Sequence, residues 1–459
     1  MGDRAVALEK LKNRAARGAS GLAAWGVAAG ATVAVVARNE IAVLEAMLAA
    51  AQLGALAPVI NPDLPDEELA GVLADSGAGL VLASAGGLDR LATLAPGLRR
   101  LDLQAGWDGL IAGHAPRGET AAAAGGLAVT SGTTGRPKIV QRGPADPAMA
   151  PQARAASPRL FGFRKGQRTV IAGPLFHSTP NGFALATLRL DGLVVLMERF
   201  DAAELLGLIE RHRITHLALA PSHMARLVKL PAAARARHDV SSLEHVLHGA
   251  APCPPGIKRA LIEWWGPVVH EFYGSTELGP VTVCDSAEAL ARPGTVGRPL
   301  DGTRLEVLDR DGNPCPPGIT GEIFAQVGFV PPFSYRGAAA TVRDGMTASG
   351  DLGFLDEEGW LFVRDRKLNV QPGESVFPAE IELRLTEHPD VLDCACLRDA
   401  AGKLVALVQP VAGCNPSDAT LAGWVQQRWS DFRLRFAHTD ALPREDSGKL
   451  VKRRLRVPA

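Results

Sequence analysis

Neither sign of charge dominates this sequence: 49 Lys and Arg residues stand against 49 Asp and Glu. That balance removes the general field that would draw a protein to nucleic acid or an anionic membrane, though a small anion in a local site stays open. Cysteine is sparse. The six residues Cys253, Cys284, Cys315, Cys394, Cys396 and Cys414 include no CxxC pair, which argues against a disulfide framework and fits reduced thiols in a cytoplasmic protein. A clean apolar run of about 20 residues, the requirement for a membrane span, is missing. The most apolar window, 41–60, is broken by Glu45, Gln52 and Pro58. Asp3, Arg4, Glu9, Lys10 and Lys12 precede any apolar stretch, and Val6 stands where a myristoylation signal needs Ser or Thr, so no leader or lipid signal is expected. No fixed-period repeat is present, which excludes a solenoid.

The sequence does have enough apolar residues to build large cores. Hydrophobic residues make up 47% and charged residues 21% of 459, and at roughly 150 residues per unit the length suggests about three folding units. A first helix is expected over Ala5–Ala16. Thr32–Ala37 reads as a strand, Ile41–Leu53 as a helix and Ala57–Asn61 as extended chain. A helix beginning at Pro65 has Asp66, Glu67 and Glu68 in its first turn, where the macrodipole favours acids, and Gly79–Ala83 reads as a buried strand. The same rhythm returns in Thr169–Ala172, Gly182–Leu188, Gly192–Leu196, Asp201–Arg211 (with an Asp N-cap) and Thr215–Ala220. Alternation of this kind predicts an α/β fold with parallel sheets covered by helices. From about residue 295 short strands and turns (Arg304–Leu308, Asp311-Gly312-Asn313, Gly321–Ala325) predict a β-rich subdomain, and the last 95 or so residues are long enough for a small domain.

The densest chemistry lies in Thr130-Ser131-Gly132-Thr133-Thr134-Gly135-Arg136-Pro137-Lys138, after the strand-like Leu127-Ala128-Val129. Glycines let backbone N–H groups approach an anion, hydroxyls donate to phosphate oxygens, and Lys neutralises charge. The spacing is not that of a Walker A loop, because Pro137 separates the glycines from Lys138. A lone loop of this composition is more often a plain turn. This one, however, resembles the phosphate-binding signature of the adenylate-forming superfamily, which includes acyl-CoA synthetases, peptide-synthetase adenylation domains and luciferases.

Further motifs of that superfamily follow in order: Gly249-Ala250-Ala251-Pro252, Tyr273-Gly274-Ser275-Thr276-Glu277, Ser349-Gly350-Asp351 with Arg364 beyond it, 373–382 (GESVFPAEIE), and 443–449 (PREDSGK). The resemblance implies a large N-terminal domain, residues 1–365, and a small mobile α+β C-terminal domain, residues 366–459, hinged at Arg366. It implies ATP, Mg²⁺ and coenzyme A as cofactors and a small carboxylic acid as substrate. Thr130, Ser131, Gly132, Thr133, Thr134, Gly135 and Lys138 would hold the phosphates. Gly249, Ala250 and Ala251 would line the adenine, with Tyr273, Gly274 and Ser275 also at the nucleotide. Asp351 would meet the ribose and Arg364 the ribose or a phosphate, and Glu277, beside Thr276, would bind Mg²⁺. Lys449 would bridge the carboxylate and the α-phosphate, and Gly373 would line the pantetheine tunnel.

Ordinary readings compete at several positions. Glu277 could be a helix N-terminal carboxylate, Asp351 a turn Asp, and Lys449 part of a solvated basic tail with Lys452, Arg453, Arg454 and Arg456. The segment 138–143 lacks the family's downstream [ST]-H, Arg366 replaces the usual Asp or Lys hinge, and Asn369-Val370 is also atypical. The acyl pocket would be walled by Phe176–Phe183, Leu247–Gly249 and Glu271–Thr276, with His177 as a gate and Asn181 and Phe183 at the substrate. The stretch 247–254 followed by Trp264-Trp265-Gly266 is most similar to bacterial fatty-acyl and steroid- or bile-acid–CoA ligases. The resemblance thus implies a monocarboxylate–CoA ligase working through acyl-AMP, as a monomer or homodimer. The alternatives are loading of a carrier-protein phosphopantetheine and a non-catalytic binding protein on the same scaffold.

Overall fold

Short apolar runs such as Thr32–Val36 and Ala78–Ala83, alternating with helices, set the architecture of the first part of the chain. A computed structural model describes residues 5–118, 126–130, 137–144, 146–336, 339–445 and 448–457. It resolves into two compact units, 1–153 with 163–199 and 329–340, and 154–162 with 200–328 and 341–459.

In the first unit a parallel sheet runs in the order Val59–Ile60, Thr32–Val36, Ala78–Ala83, Arg99–Asp102. All five residues of Thr32–Val36 are buried, as expected for a strand covered on both faces. Helices Leu8–Ala24, Ile41–Gln52 and Asp66–Ser76 flank these strands in sequence. The first helix extends well beyond the expected Ala16, because Gly18 and Gly21 serve its packing: a Cβ at Gly18 would strike Trp107, and one at Gly21 would strike Leu110. Glu45, buried, is compensated by Arg14 at 2.6 and 3.0 Å and by the Trp107 indole N–H at 2.9 Å. Strands Arg168–Ile171 and Leu193–Leu196 pair in parallel. An antiparallel trio, Gly126–Val129, Ile139–Arg142 and Phe333–Arg336, completes the unit's sheets.

In the second unit His216–Leu219, His245–His248 and Val269–Ser275 are parallel, and Gly279–Cys284 adds antiparallel. The β-rich stretch follows as expected. Thr303–Leu308, Gly321–Val327 and Met346–Leu355 pair antiparallel, and Leu361–Arg366 pairs with Met346–Leu355. The last 95 or so residues form a three-stranded sheet, Val391–Arg398, Leu404–Pro410 and Arg435–His438. Helices Pro378–Thr386 and Asp418–Gln426 cover its own core of Ile381, Leu385, Val391, Leu421 and Val425. No helix among the described residues is long and apolar enough to cross a membrane.

Three neighbouring strands of the second unit carry a ladder of imidazoles. His216 and His245 lie 6.1 Å apart and His245 and His270 4.0 Å apart, both pairs stacked. His216 and His245 donate to the carbonyls of Gly162 and Leu160. Burial, with the neighbouring His270, lowers His245 to about 3. The folded value lies below the ordinary 6.5, so the unfolded chain takes up the proton first, and stability is full above pH 6.5 and falls as the pH drops towards 3. Urea unfolding of His245→Phe between pH 7 and 5 is expected to show an acid slope shallower than wild type by up to about 1.4 kcal/mol per pH unit. Parallel slopes would remove His245 from the acid response.

Candidate active site

Strand pairing brings the first functional group together. Asp351 stands opposite Arg366 in the antiparallel register of Met346–Leu355 with Leu361–Arg366, and the Arg366 Nε lies 3.0 Å from Asp351 Oδ1. The Tyr273 hydroxyl, from the end of strand Val269–Ser275, donates to Asp351 Oδ2 at 2.7 Å. The Asp351 backbone N–H is held by Ser349 Oγ at 3.1 Å. Burial pushes the Asp351 carboxyl above its usual range, while Arg366 and the Tyr273 hydroxyl pull it back. A largely buried carboxylate with one guanidinium and one hydroxyl on it is a fixed polar receptor rather than a loose turn Asp.

Lys449 is delivered to the same place by a hairpin. Glu445 N–H donates to the Lys449 carbonyl at 2.9 Å, and Gly448 takes the left-handed conformation, φ +79°, that closes the turn. Arg444 fastens the root: it forms an ion pair with Asp393 and also donates to the Gly448 carbonyl. Burial pulls the Lys449 ammonium below the usual lysine range. The charges of Glu445, Glu277 and Asp351 oppose that fall and Arg366 adds to it. Lys449 is therefore within electrostatic reach of Glu277, Asp351 and Arg366, and it is not a residue of a solvated tail.

The small-residue motifs have steric reasons. A Cβ on Gly249 would sit 2.6 Å from the Phe272 ring and 2.7 Å from its carbonyl oxygen, and Ala250 holds φ +68°, a strained value for a residue with a Cβ. Gly274 lies at a register shift between Val269–Ser275 and Gly279–Cys284, where a Cβ would come within 2.0 Å of the Gly279 carbonyl. Thr276, Glu277 and Leu278 form the hairpin turn between these strands, and Ser275 Oγ accepts from the Leu278 N–H at 3.1 Å. Glu277 thus belongs to a strand-to-strand turn, not to a helix N-terminus.

Arg364 lies elsewhere. Its guanidinium pairs with Glu380 at 2.8 and 3.1 Å, donates to the Ser375 carbonyl at 2.9 Å, and lies over the Phe377 ring at 4.1 Å. It secures the start of helix Pro378–Thr386, and the arginine beside Asp351 is Arg366. Asp365 helps from the next position: its Oδ2 accepts from the Ala379 N–H, and its Oδ1 from the Arg366 N–H and the Asn369 side chain, each at 2.7 Å. Gly373 sits in an exposed turn at φ +86° with open space where a Cβ would be.

In the first unit Thr130 and Lys138 close a hairpin between Gly126–Val129 and Ile139–Arg142. Thr130 N–H donates to the Lys138 carbonyl at 2.9 Å, and Lys138 N–H donates to Thr130 Oγ1 at 2.8 Å. The Lys138 ammonium stands 4.7 Å from the Tyr335 ring centre. Ser131, Gly132, Thr133, Thr134 and Gly135 lie outside the described residues. His177 is the N-cap of helix Ser178–Arg189 and tilts against Phe176. Asn181 spends its amide on the Leu175 carbonyl at 2.9 Å, and Phe183 is a core residue packed edge-on to Phe163. Neither side chain therefore stands ready for a substrate in this structure.

Two groups near these motifs carry little sequence signal. Buried Asn39, just past strand Thr32–Val36, donates to the Gly173 and Met197 carbonyls and accepts from Leu175 N–H at 2.7 Å, so it sets the path into His177. Lys258 and Glu271 form a buried ion pair, with His248 Nδ1 3.8 Å from Glu271. Burial and the Lys258 charge hold His248 well below its usual value, hence neutral. A helical lysine 13 residues before a strand glutamate has no local pattern to announce it.

The model of the AMP-binding enzyme family matches residues 2–327. The chain is 31% identical to feruloyl-CoA synthase of Amycolatopsis sp over 99% of its length and 94% of that protein. It is 30% identical to 4-coumarate–CoA ligase 5 of Oryza sativa subsp. japonica, covering 96% and 87%. The solved o-succinylbenzoate CoA synthetase of Bacillus subtilis, in complex with its acyl-adenylate intermediate, aligns with a TM-score of 0.83 at 28% identity, covering 100% of this chain and 94% of that one. The chain therefore belongs to the AMP-binding enzyme family and is an AMP-forming acid–thiol ligase, the class that works with ATP, magnesium and coenzyme A.

The two arginines can be told apart by nucleotide affinity. Arg366→Ala is expected to weaken ATP binding by about tenfold or more, the equivalent of about 1.4 kcal/mol. Arg364→Ala should leave the affinity within about threefold and lower the melting temperature instead, since it undoes the start of a helix. Calorimetric titration with ATP and thermal unfolding of both variants check this, and the reverse pattern would restore Arg364 to the nucleotide.

Proposed function

We propose that this ligase activates an aromatic monocarboxylic acid as its acyl-adenylate and passes the acyl group to coenzyme A. The observation that carries the reading is the convergence of Asp351, Tyr273, Arg366 and Lys449, two of them supplied by cross-strand pairing and one by a hairpin from the last residues of the chain. The choice of an aromatic acid is supported by relatives named for ferulate, coumarate and succinylbenzoate. The expected fatty or steroid acid has no such support.

In the first step a carboxylate oxygen attacks the α-phosphorus of ATP, the bond to the β-phosphate breaks, and pyrophosphate leaves. Two anions must meet, so positive charge at the reacting atoms is the main requirement. Lys449 supplies it at the carboxylate and α-phosphate, Asp351 accepts from the ribose hydroxyls, and Arg366 neutralises and orients Asp351. The resemblance of 130–138 to the family's phosphate-binding signature assigns that segment the outer phosphates. Glu277 would hold the magnesium, a hard cation suited to carboxylate oxygen. There it would screen the phosphate charge. In the second step the sulfur of coenzyme A attacks the acyl carbonyl, AMP leaves, and the thiol proton passes to water.

Residues 366–459 act as the mobile domain in this reading. Leu368, 80% exposed in the short turn Lys367–Asn369, supports it: the link beyond Arg366 is not anchored by its largest apolar side chain. Gly373 in its open turn would then face the pantetheine arm.

Thioester formation measured with ATP, coenzyme A and a panel of cinnamic, benzoic, fatty and steroid acids tests the substrate class. The expected result is kcat/KM for one or more aromatic acids above every fatty and steroid acid by about a hundredfold, or about 2.7 kcal/mol of transition-state preference. A preference for long-chain or steroid acids would overturn it.

A further inference from the structure

Helix Pro221–Val228 and the lysine that ends it touch the C-terminal segment at two separated points. At the helix start, the missing side chain of Gly448 admits Ser222: a Cβ there would fall 2.1 Å from Ser222 Oγ and 3.0 Å from the Ala220 Cβ. At the helix end, the Lys229 ammonium donates to the Thr386 carbonyl at 2.7 Å, to the Val391 carbonyl, and more distantly to the His388 carbonyl at 3.5 Å. Thr386 is the last residue of helix Pro378–Thr386. Its carbonyl end carries the negative pole of the helix and lacks intrahelical partners, so a cation is suited to it. The opposite end of that helix is held by Glu380 and Asp365, as described above.

The Lys229 charge is met by carbonyl dipoles, not by a paired carboxylate. Asp393 acts on it only at a distance and is itself engaged by Arg444. Burial, with the charges of Lys229 and Arg384, holds the neighbouring His388 below its usual value, and Asp390 opposes that fall. Burial lowers the ammonium to about 8, so it remains mostly protonated at neutral pH. The His388 carbonyl also accepts from the Val391 N–H at 3.1 Å, so the Lys229 contacts that matter most are those to Thr386 and Val391, and they depend on geometry.

The path from this clamp to the reacting lysine is short and continuous. Val391, whose carbonyl Lys229 holds, opens strand Val391–Arg398. Two residues on, Asp393 grips Arg444, Arg444 grips the Gly448 carbonyl, and Lys449 follows. Gly448 in turn rests on Ser222, at the other end of the helix that ends at Lys229. The circuit closes on one rigid element two turns long.

We propose that Lys229 is a positioning residue for the adenylation step: by clamping the 386–391 carbonyls it holds the 444–450 hairpin so that Lys449 reaches Asp351 and Glu277. The proposal rests on the ligase reading above. It assigns Lys229 no contact with substrate and no part in thioester formation.

The test uses the full chain with Lys229→Met, which keeps the aliphatic stem and loses the donors, and Lys229→Arg, which keeps charge and donors. Two half-reactions are followed: acid-dependent ATP–pyrophosphate exchange, and thioester formation from synthetic acyl-adenylate of the best acid in the panel. Amide hydrogen exchange is recorded over 386–393 and 444–451. Lys229→Met is expected to lower pyrophosphate exchange by about tenfold or more while thioester formation stays within about threefold, and to speed amide exchange in both segments. Lys229→Arg should recover most of the exchange activity. Equal loss of both half-reactions, or an unchanged ratio with unchanged amide exchange, overturns the proposal, as does faster amide exchange with no change in the ratio. Wild-type protein silent in pyrophosphate exchange with every acid overturns the ligase reading and the positioning role with it, while amide exchange still reports on the clamp as a structural contact.

Discussion

The Asp351 carboxylate constrains everything around it. A carboxylate held largely out of water is costly unless its oxygens are matched by donors, and breaking such a match costs more than the pair contributes. Here the match comes from two other strands: Tyr273 from the end of Val269–Ser275 and Arg366 from the strand directly opposite. Neither could arrive unless the parallel sheet and the antiparallel β-rich stretch were in register. The site is therefore a consequence of strand pairing, and its charges are placed before any ligand is present. Such preorganisation is what electrostatic catalysis on anionic substrates requires.

Lys449 reaches this centre by a different route. Its hairpin owes its shape to Gly448 and its footing to Arg444 and Asp393, all within the last domain-sized segment. That segment has its own small core, so it can keep its internal structure while its attachment changes. The attachments found here are polar: Arg364 to Glu380, Asp365 to the Ala379 N–H, Gly256 N–H to Glu387, and Lys229 to the 386–391 carbonyls. Polar contacts of this kind depend closely on geometry and so define one arrangement of the segment.

Much of this was legible before any coordinates. Thr32–Ala37, Ile41–Leu53 and Thr215–Ala220 form the strands and helix their apolar spacing predicts, and Asp201 caps its helix by accepting from Glu204 N–H. Local pattern suffices where burial on one face or both decides the structure. The glycines at 249, 274 and 448 were recognisable as motif members, but the reasons for them are tertiary: Phe272, the Gly279 carbonyl and Ser222 occupy the space a side chain would need. Arg364 and Arg366 could not be separated by sequence, since they sit on one strand two residues apart, and only the partners across the strand, Glu380 or Asp351, assign them. Lys258 with Glu271, Asn39 and Lys229 were invisible for the same reason. Their partners are distant in sequence, and a single Lys or Asn carries no period.

Among these residues Lys449 is the one whose chemistry the account most depends on. The most direct test is Lys449→Ala assayed in both half-reactions, acid-dependent ATP–pyrophosphate exchange and thioester formation from supplied acyl-adenylate. The account predicts exchange lowered by about a thousandfold, near 4 kcal/mol of lost transition-state stabilisation, with thioester formation largely retained. Exchange that survives the substitution would contradict it.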